Sequence, residues 1–297
     1  MTHERIDIHQ HITNQIISCI EAGAGDFRLP WHAGGTITSP TNIESKKHYR
    51  GVNILALWAA GAGNGYTSGQ WGTYRQWANA GAQVRRDEKS TYIVFYKELH
   101  YASVDQTDPS ENDAETRLFA RATPVFFAEQ VDGFEMPVPG QTKFDPIEAA
   151  EGLVSATQAT IHHGGNRAYY RPKTDSIQLP FREAFIGRPT STAQEAYYST
   201  LLHELTHWTS PATRCDRQLG KRFGDHAYAM EELVAELGAA FLCSELGVTN
   251  EPRVDHAQYL ASWLSVLKAD RKAIFTAASA ASKACAFLST FRKAGGG

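Results

Sequence analysis

An α+β chain of two domains is what the 297 residues predict. Helical periodicity fills the final third of the chain, whereas the first half holds two β-branched, aromatic stretches on either side of one acidic tract. Between the halves runs DGFEMPVPGQTKFDP (132–146), with three prolines, two glycines and no apolar period, which reads as a linker. The expected organisation is therefore a first domain over 1–131, a linker over 132–146 and a second domain over 147–297.

In order, residues 5–22 carry Ile8, Ile12, Ile16 and Ile20 at four-residue spacing, one apolar face of a helix. A Gly/Pro-rich segment through Trp31 and Pro40 follows, then short helices around 52–60 and 70–80. TYIVFYKELHYA (91–102) and RLFARATPVFFAEQV (117–131) read as paired strands, with the acids Asp105, Asp108, Glu111, Asp113 and Glu115 at a solvated hairpin tip. Pro146 opens a helix to Thr160, since proline suits a first turn. Residues 165–180 read as a hairpin turning near Lys173–Asp175. Four helices complete the chain at 192–209, 226–246, 255–269 and 271–293. The first starts in a capping box of Thr192 and Glu195, and the second ends at Gly247.

An apolar fraction of 42% and a charged fraction of 21% exclude a disordered or collagenous chain. No run approaches the roughly 18 consecutive apolar residues of a membrane span, and MTHERIDIHQHITNQ lacks the features of a secretory signal. Cys19, Cys215, Cys243 and Cys285 are scattered with no CxxC pair, which fits a reducing compartment. A soluble cytoplasmic protein is expected, with no membrane partner. Net charge is −3, yet residues 44–100 hold eight bases against four acids, so the first half is mildly basic outside the acidic tract.

The sharpest motif is His203-Glu204-Leu205-Thr206-His207. Residues i and i+4 lie one above the other on a helix, so both imidazoles can face one ion, and Glu204 stands beside the first of them as general base. A third histidine is missing from the metzincin position, where Thr213 stands, and Ser210 replaces the glycine of that pattern. A glutamate from a later helix is the other solution, a His₂Glu site. Glu232, 25 residues after His207, is the expected ligand, and Glu236, one turn on, the acceptor for an imidazole N–H. Glu231 lies about 100° around the helix from Glu232 and is expected to face water. Three protein ligands leave a fourth position for a water, the catalytic arrangement. Zinc suits the donor set best, and manganese tolerates it. Tyr228, His226 and Tyr170 are unranked candidates for a further transition-state donor. The edge of the 165–180 hairpin could pair with an extended peptide.

HELTH followed by EExxxE (231–236) resembles the gluzincin-like metallopeptidases, in which a strand and two helices carry HExxH and then a glutamate ligand. Thermolysin-like members place an aspartate four residues after that glutamate, where this chain has Glu236.

The first half interleaves aromatic with basic residues through SPTNIESKKHYRGVN (39–53), GYTSGQWGTYRQW (65–77) and GAQVRRDEKSTYIVFYK (81–97). A surface for single strands needs cations for phosphates and ring faces for unstacked bases. Lys46, Lys47, Tyr49, Arg50, Trp71, Tyr74, Arg85, Arg86 and Lys89 supply that mixture. The competing reading makes Trp58, Trp71, Tyr74 and Trp77 core and leaves the bases merely solvated. The string Pro40-x-Asn42, Lys46-x-x-Tyr49-Arg50-Gly51-x-Asn53, Trp71-x-Thr73-Tyr74 and Gly81-Ala82-x-Val84-Arg85 with Glu88-Lys89 resembles the N-terminal domain of the ArdC antirestriction family, related to the DNA-primase-like TraC proteins. That family also carries a C-terminal metallopeptidase domain, so the resemblance spans nearly the whole chain. One departure is Asp87, where the family pattern has glycine.

The resemblance implies an N-terminal α+β single-stranded-DNA-binding domain, a C-terminal zincin-like domain, carriage on a conjugative plasmid and protection of incoming DNA from host restriction. Partners would be single-stranded DNA, duplex DNA as a further one, and an unidentified protein substrate on DNA. Two other classes compete: a DNA-coating protein whose metal is structural or idle, and a metal-dependent nuclease. An intact Glu204 argues against the first, and a single carboxylate with two histidines and no second metal cluster argues against the second.

Overall fold

A computed structural model describes residues 7–23, 38–101, 115–135, 145–217, 226–250 and 256–294. Trp31, the tip of the acidic tract and most of the expected linker lie outside these residues.

Helix α1 (Ile8–Gly23) turns Ile8, Ile12, Ile16 and Ile20 inward, as their spacing requires. After β1 (Thr41–Asn42) comes α2 (Val52–Asn64), longer than expected and closed by Gly65 in the left-handed conformation. The helix expected over 70–80 starts late, because Gln70–Gly72 form β2, which pairs parallel with β1 and antiparallel with the later strand at Trp71↔Phe127. Thr73 then caps α3 (Tyr74–Asn79) through a full capping box with Gln76. Here a tertiary pairing of Trp71 and Gly72 overrides the local helical pattern. Strand β3 (Gln83–Val84) precedes the long hairpin of β4 (Thr91–Tyr101) and β5 (Glu115–Phe127), in register from Thr91↔Val125 to Tyr101↔Glu115. A 3₁₀ turn, Ala128–Gln130, leads into β6 (Val131–Asp132), which pairs with β3. The main sheet is ordered β1-β2-β5-β4. Asp87, at φ 68, occupies the left-handed region that glycine enters freely, so the family's glycine and this aspartate meet one backbone demand.

The second domain opens with α4 (Pro146–Thr157), capped by Asp145, whose side chain accepts from Ile147 N and Glu148 N. A three-stranded sheet follows: β7 (Thr160–His163) parallel to β9 (Ser176–Leu179), which pairs antiparallel with β8 (Tyr169–Arg171). The β8–β9 hairpin was legible, whereas β7 (Thr-Ile-His-His) has too little pattern to read. Four helices end the chain: α5 (Ala193–Trp208), α6 (His226–Leu246), α7 (His256–Ala269) and α8 (Ala273–Ala294). By length and composition α8 could cross a membrane, but Ala277, Ala278, Ala281, Ala284 and Leu288 are buried in the core.

The two domains share one apolar core. Ile8, Ile12, Ile16 and Ile20 of α1 and Leu55 and Trp58 of α2 join the same cluster as Leu202, Leu205, Leu237, Trp263 and Ile274. Polar ties cross with them: Thr13 Oγ1 donates to Arg271 O at 2.8 Å, and Gly51 N donates to Ser282 Oγ at 2.9 Å. The helices carrying HELTH and the glutamates are thus buttressed from both domains.

Candidate metal centre

Helix α5 is anchored at its start and buried along the rest. Thr192 Oγ1 accepts from Glu195 N at 3.1 Å while Glu195 accepts from Thr192 N at 2.8 Å. The other Glu195 oxygen accepts from Thr249 N at 3.1 Å, which ties the helix to the segment after α6. Burial works against the Glu195 charge, but these hydrogen bonds outweigh it and hold its carboxyl below the ordinary value. From Tyr197 to Trp208 only Thr200 is not fully buried.

What sets α5 against α6 is Gly238. A Cβ there would stand 2.5 Å from Thr206 Cγ2 and 2.7 Å from Thr206 Oγ1, and Thr206 is fixed by its hydrogen bond to Leu202 O. Glycine costs about 1 kcal/mol relative to alanine in a helix interior. Its presence allows the two backbones the close approach that brings α6 carboxylates to the α5 imidazoles.

Those carboxylates form two tiers. His203 Nε2 lies 3.6 Å from Glu232 Oε2 and His207 Nε2 lies 3.7 Å from Glu232 Oε1. Both separations exceed a hydrogen bond. They are close to the ~3.4 Å edge of a tetrahedron of donors about 2.1 Å from a shared zinc. One ligand atom from each of His203, His207 and Glu232 lies within 4.8 Å of the others. The outer imidazole nitrogens face a second pair of acids. His203 Nδ1 is 3.6 Å from Glu236 Oε2 and, though buried, has no hydrogen-bond partner among the described residues. His207 Nδ1 is 3.1 Å from Glu231 Oε1.

Glu231 corrects the expectation drawn from helix geometry: it is 5% exposed and does not face water. Arg217 donates to it from Nε at 3.0 Å and Nη2 at 2.9 Å, and also donates to Thr209 Oγ1 and Thr206 O, each at 2.7 Å. Burial alone would raise the Glu231 pKa. The hydrogen bonds from His207 and Arg217 outweigh it and hold the group ionised. An ionised Glu231 accepts a hydrogen bond from His207 Nδ1–H, which would leave the Nε2 lone pair for a metal ion once that ion replaces the second ring proton. Glu232 is likewise held well below the usual carboxylate range, the two imidazoles overcoming its burial. Arg217 escaped the sequence reading altogether. The available signal was charge balance: four glutamates buried around two histidines demand further cations.

These contacts describe a buried cluster that attracts positive charge. Burial lowers the His207 pKa, but Glu231 and then Glu232 overcome it and push it up to about 10, so a proton occupies the ring when no other cation does. A divalent ion fits the same donors, and His203, His207 and Glu232 would hold it. Glu204, adjacent to His203, is 2% exposed. Among the three candidates for a further donor, Tyr228 is the one beside the triad: burial raises its pKa most, followed by its hydrogen bond with Tyr259 at 3.2 Å and by the neighbouring Glu232. Tyr170 is committed to Asp175 at 2.8 Å, and His226 is exposed.

The expected DNA-facing residues separate. Lys46, Lys47, Arg50, Arg86 and Lys89 are exposed, and Tyr74 is 53% exposed. Two members of the set are corrected as stacking faces. Trp71 is 1% exposed and packs edge-on against Phe127; Tyr49 is 8% exposed and accepts from Asn42 Nδ2 at 3.0 Å. A base cannot lie on a ring already covered on both faces. Trp58 and Trp77 are also core. Arg85 is engaged by Glu88 at 2.8 Å, by Asp132 at 3.7 Å and by the Glu129 carbonyl.

The comparisons agree with this architecture. Residues 6–126 match the N-terminal domain of the anti-restriction factor ArdC, and residues 148–280 match a zincin-like metallopeptidase domain. The protein y4eC of Sinorhizobium fredii is 47% identical over 283 residues, covering 93% of this chain and 89% of its own. DNA primase TraC of Escherichia coli is 37% identical over 96% of this chain, which spans only 27% of that longer protein. The metal-free crystal structure of the antirestriction protein ArdC from plasmid R388 superposes with a TM-score of 0.77 at 35% identity, covering 97% of this chain and 99% of that one. Its Mn(II)-bound structure gives 0.73 at 33% identity, with 96% and 98% covered. With both domains matched in order and end to end, the chain belongs to the ArdC antirestriction family, an ArdC-type N-terminal domain joined to a zincin-like domain.

Proposed function

We propose that this chain is an antirestriction protein of a conjugative plasmid that binds single-stranded DNA and carries a metal-dependent peptidase site acting on protein bound to DNA. The observation that supports it most is the convergence of the His203 and His207 Nε2 atoms on the two oxygens of Glu232, beside Glu204. Its domain boundary falls within 132–146, and it works in the cytoplasm, on duplex as well as single-stranded DNA.

On this reading His203, His207 and Glu232 hold the ion, with zinc the first choice and manganese the second, as in the R388 relative. The bound ion supplies Lewis acidity towards a carbonyl and lowers the pKa of water. Glu231 and Glu236 fix the imidazole tautomers from behind. Glu204 takes a proton from the attacking water and returns it to the leaving amine. Tyr228 donates to the oxygen on which charge develops. Attachment to DNA raises the effective concentration of DNA-bound protein substrates.

Glu204→Gln is the test, since it retains the three ligands and removes the base. Metal content should match the parent, while peptidase activity and protection of a plasmid entering a restricting recipient should both be lost. Undiminished protection would overturn the peptidase arm and leave a DNA-coating protein with an idle site.

A further inference from the structure

A concavity lies between the domains. A cleft of about 800 Å³ opens between the starts of α1 and α2, the edge strand β4 and one side of α8. Phe275, Thr276, Ser279 and Lys283 line its α8 wall, a three- and four-residue spacing that marks a single helical face, and Lys272 joins them from the turn just before the helix. Arg50, just before α2, and Arg217 also border the cleft. Among the described residues the lining holds one acid, Asp216.

These cations differ in what they are free to do. Arg217 spends four of its five donors on Glu231, Thr209 and Thr206. Arg50, Lys272 and Lys283 are exposed, and none is ion-paired with a carboxylate among the described residues. Rings stand beside them. Tyr96 is 49% exposed, its hydroxyl 3.1 Å from His9 Nε2, and His9 lies 4.7 Å from the half-buried Phe275 between ring centroids. Unpaired cations flanking accessible rings suit a polyanion that also carries flat apolar faces. A single nucleic-acid strand has both, whereas the bases of a duplex are stacked away from such rings.

We propose that this cleft seats single-stranded nucleic acid, with Arg50, Lys272 and Lys283 on phosphates and Tyr96 with Phe275 against bases. The proposal rests on the strand-binding reading above and moves the contact surface from the Arg85–Lys89 turn to the junction of the domains. Two of the three phosphate contacts then belong to the zincin-like domain. Arg217 borders the cleft and also donates to Glu231, so one side chain links the strand's seat to the acid that supports His207.

The full-length, metal-loaded chain is titrated into a fluorescent oligodeoxythymidine by anisotropy at several salt concentrations. Lys272→Ala with Lys283→Ala should weaken binding and lower the slope of log affinity against log salt by about 1.4, at roughly 0.7 per phosphate contact on a single strand. Lys272→Arg with Lys283→Arg should restore the parental slope. Tyr96→Ala should weaken binding about tenfold with the slope unchanged, because stacking releases no counterions. Metal content and melting temperature like the parent's establish that each variant is folded. A parental slope in the lysine variant, with the loss appearing instead in Arg85→Ala with Arg86→Ala, overturns the location and keeps the strand-binding reading. A parent that binds no oligonucleotide at low salt overturns both.

Discussion

Glu231→Gln is the perturbation that separates an orienting acid from a passive buried one. Glu231 receives hydrogen bonds from His207 Nδ1 at 3.1 Å and from Arg217 at 3.0 and 2.9 Å. Glutamine is nearly isosteric but has one acceptor oxygen, and its NH₂ would confront a donor from one side or the other. Losing the acceptor behind a ligating histidine costs roughly 10- to 100-fold in metal affinity, which is about 1.4 to 2.8 kcal/mol. The Arg217 side chain, 9% exposed, would also lose its counter-ion, and breaking a buried pair costs about 3–5 kcal/mol of fold stability. Competition of the purified protein with a chromophoric chelator for zinc measures the first quantity; denaturant unfolding of the metal-free protein measures the second. Replacing both partners, as Glu231→Leu with Arg217→Met, should cost less than the sum of the single changes, since no charge is left unpaired. Parental metal affinity in Glu231→Gln would refute the orienting role.

Three further outcomes follow from the same geometry. Metal stoichiometry close to one ion per chain should be lost in His203→Ala and Glu232→Ala and retained at weaker affinity in Glu236→Ala; retention in Glu232→Ala with loss in Glu236→Ala would exchange the roles of the two glutamates. His207, raised from 6.5 to about 10 in the metal-free protein, adds stability that is full below pH 6.5, declines through that window and is gone above 10, so metal binding near pH 8 should release about one proton from this ring, and calorimetry in buffers of different ionisation enthalpy showing none would contradict it. Gly238→Ala should destabilise the fold by about 1–3 kcal/mol through overpacking and weaken metal binding, and Thr206→Ala in the same chain should recover most of both, whereas a neutral single variant would show that the close approach of α5 and α6 does not set the site.

The α+β class, the long helices, the β4–β5 and β8–β9 hairpins and the HELTH motif were legible in the residues, because each rests on a period, turn or cap that operates between near neighbours. The i, i+4 spacing puts His203 and His207 on one face wherever the helix goes, and Thr192 and Glu195 cap it without help from the rest of the chain. Tertiary structure alone decided what those faces meet. Angular position on α6 told where Glu231 points, but not that Arg217 and His207 would lie there, so a residue expected in water is buried in the site. Trp71 and Tyr49 read as aromatic neighbours of basic residues, a composition that a strand-binding surface and a core share; the pairing of β2 with β5 covered Trp71. The strands β1, β3 and β6 are two residues each, too short to carry alternation, and exist because longer neighbours pair with them. The cleft lies furthest from sequence. Arg50, Tyr96, Lys272 and Lys283 come from both ends of the chain, and only the core shared by α1, α2, α7 and α8 brings them to one surface.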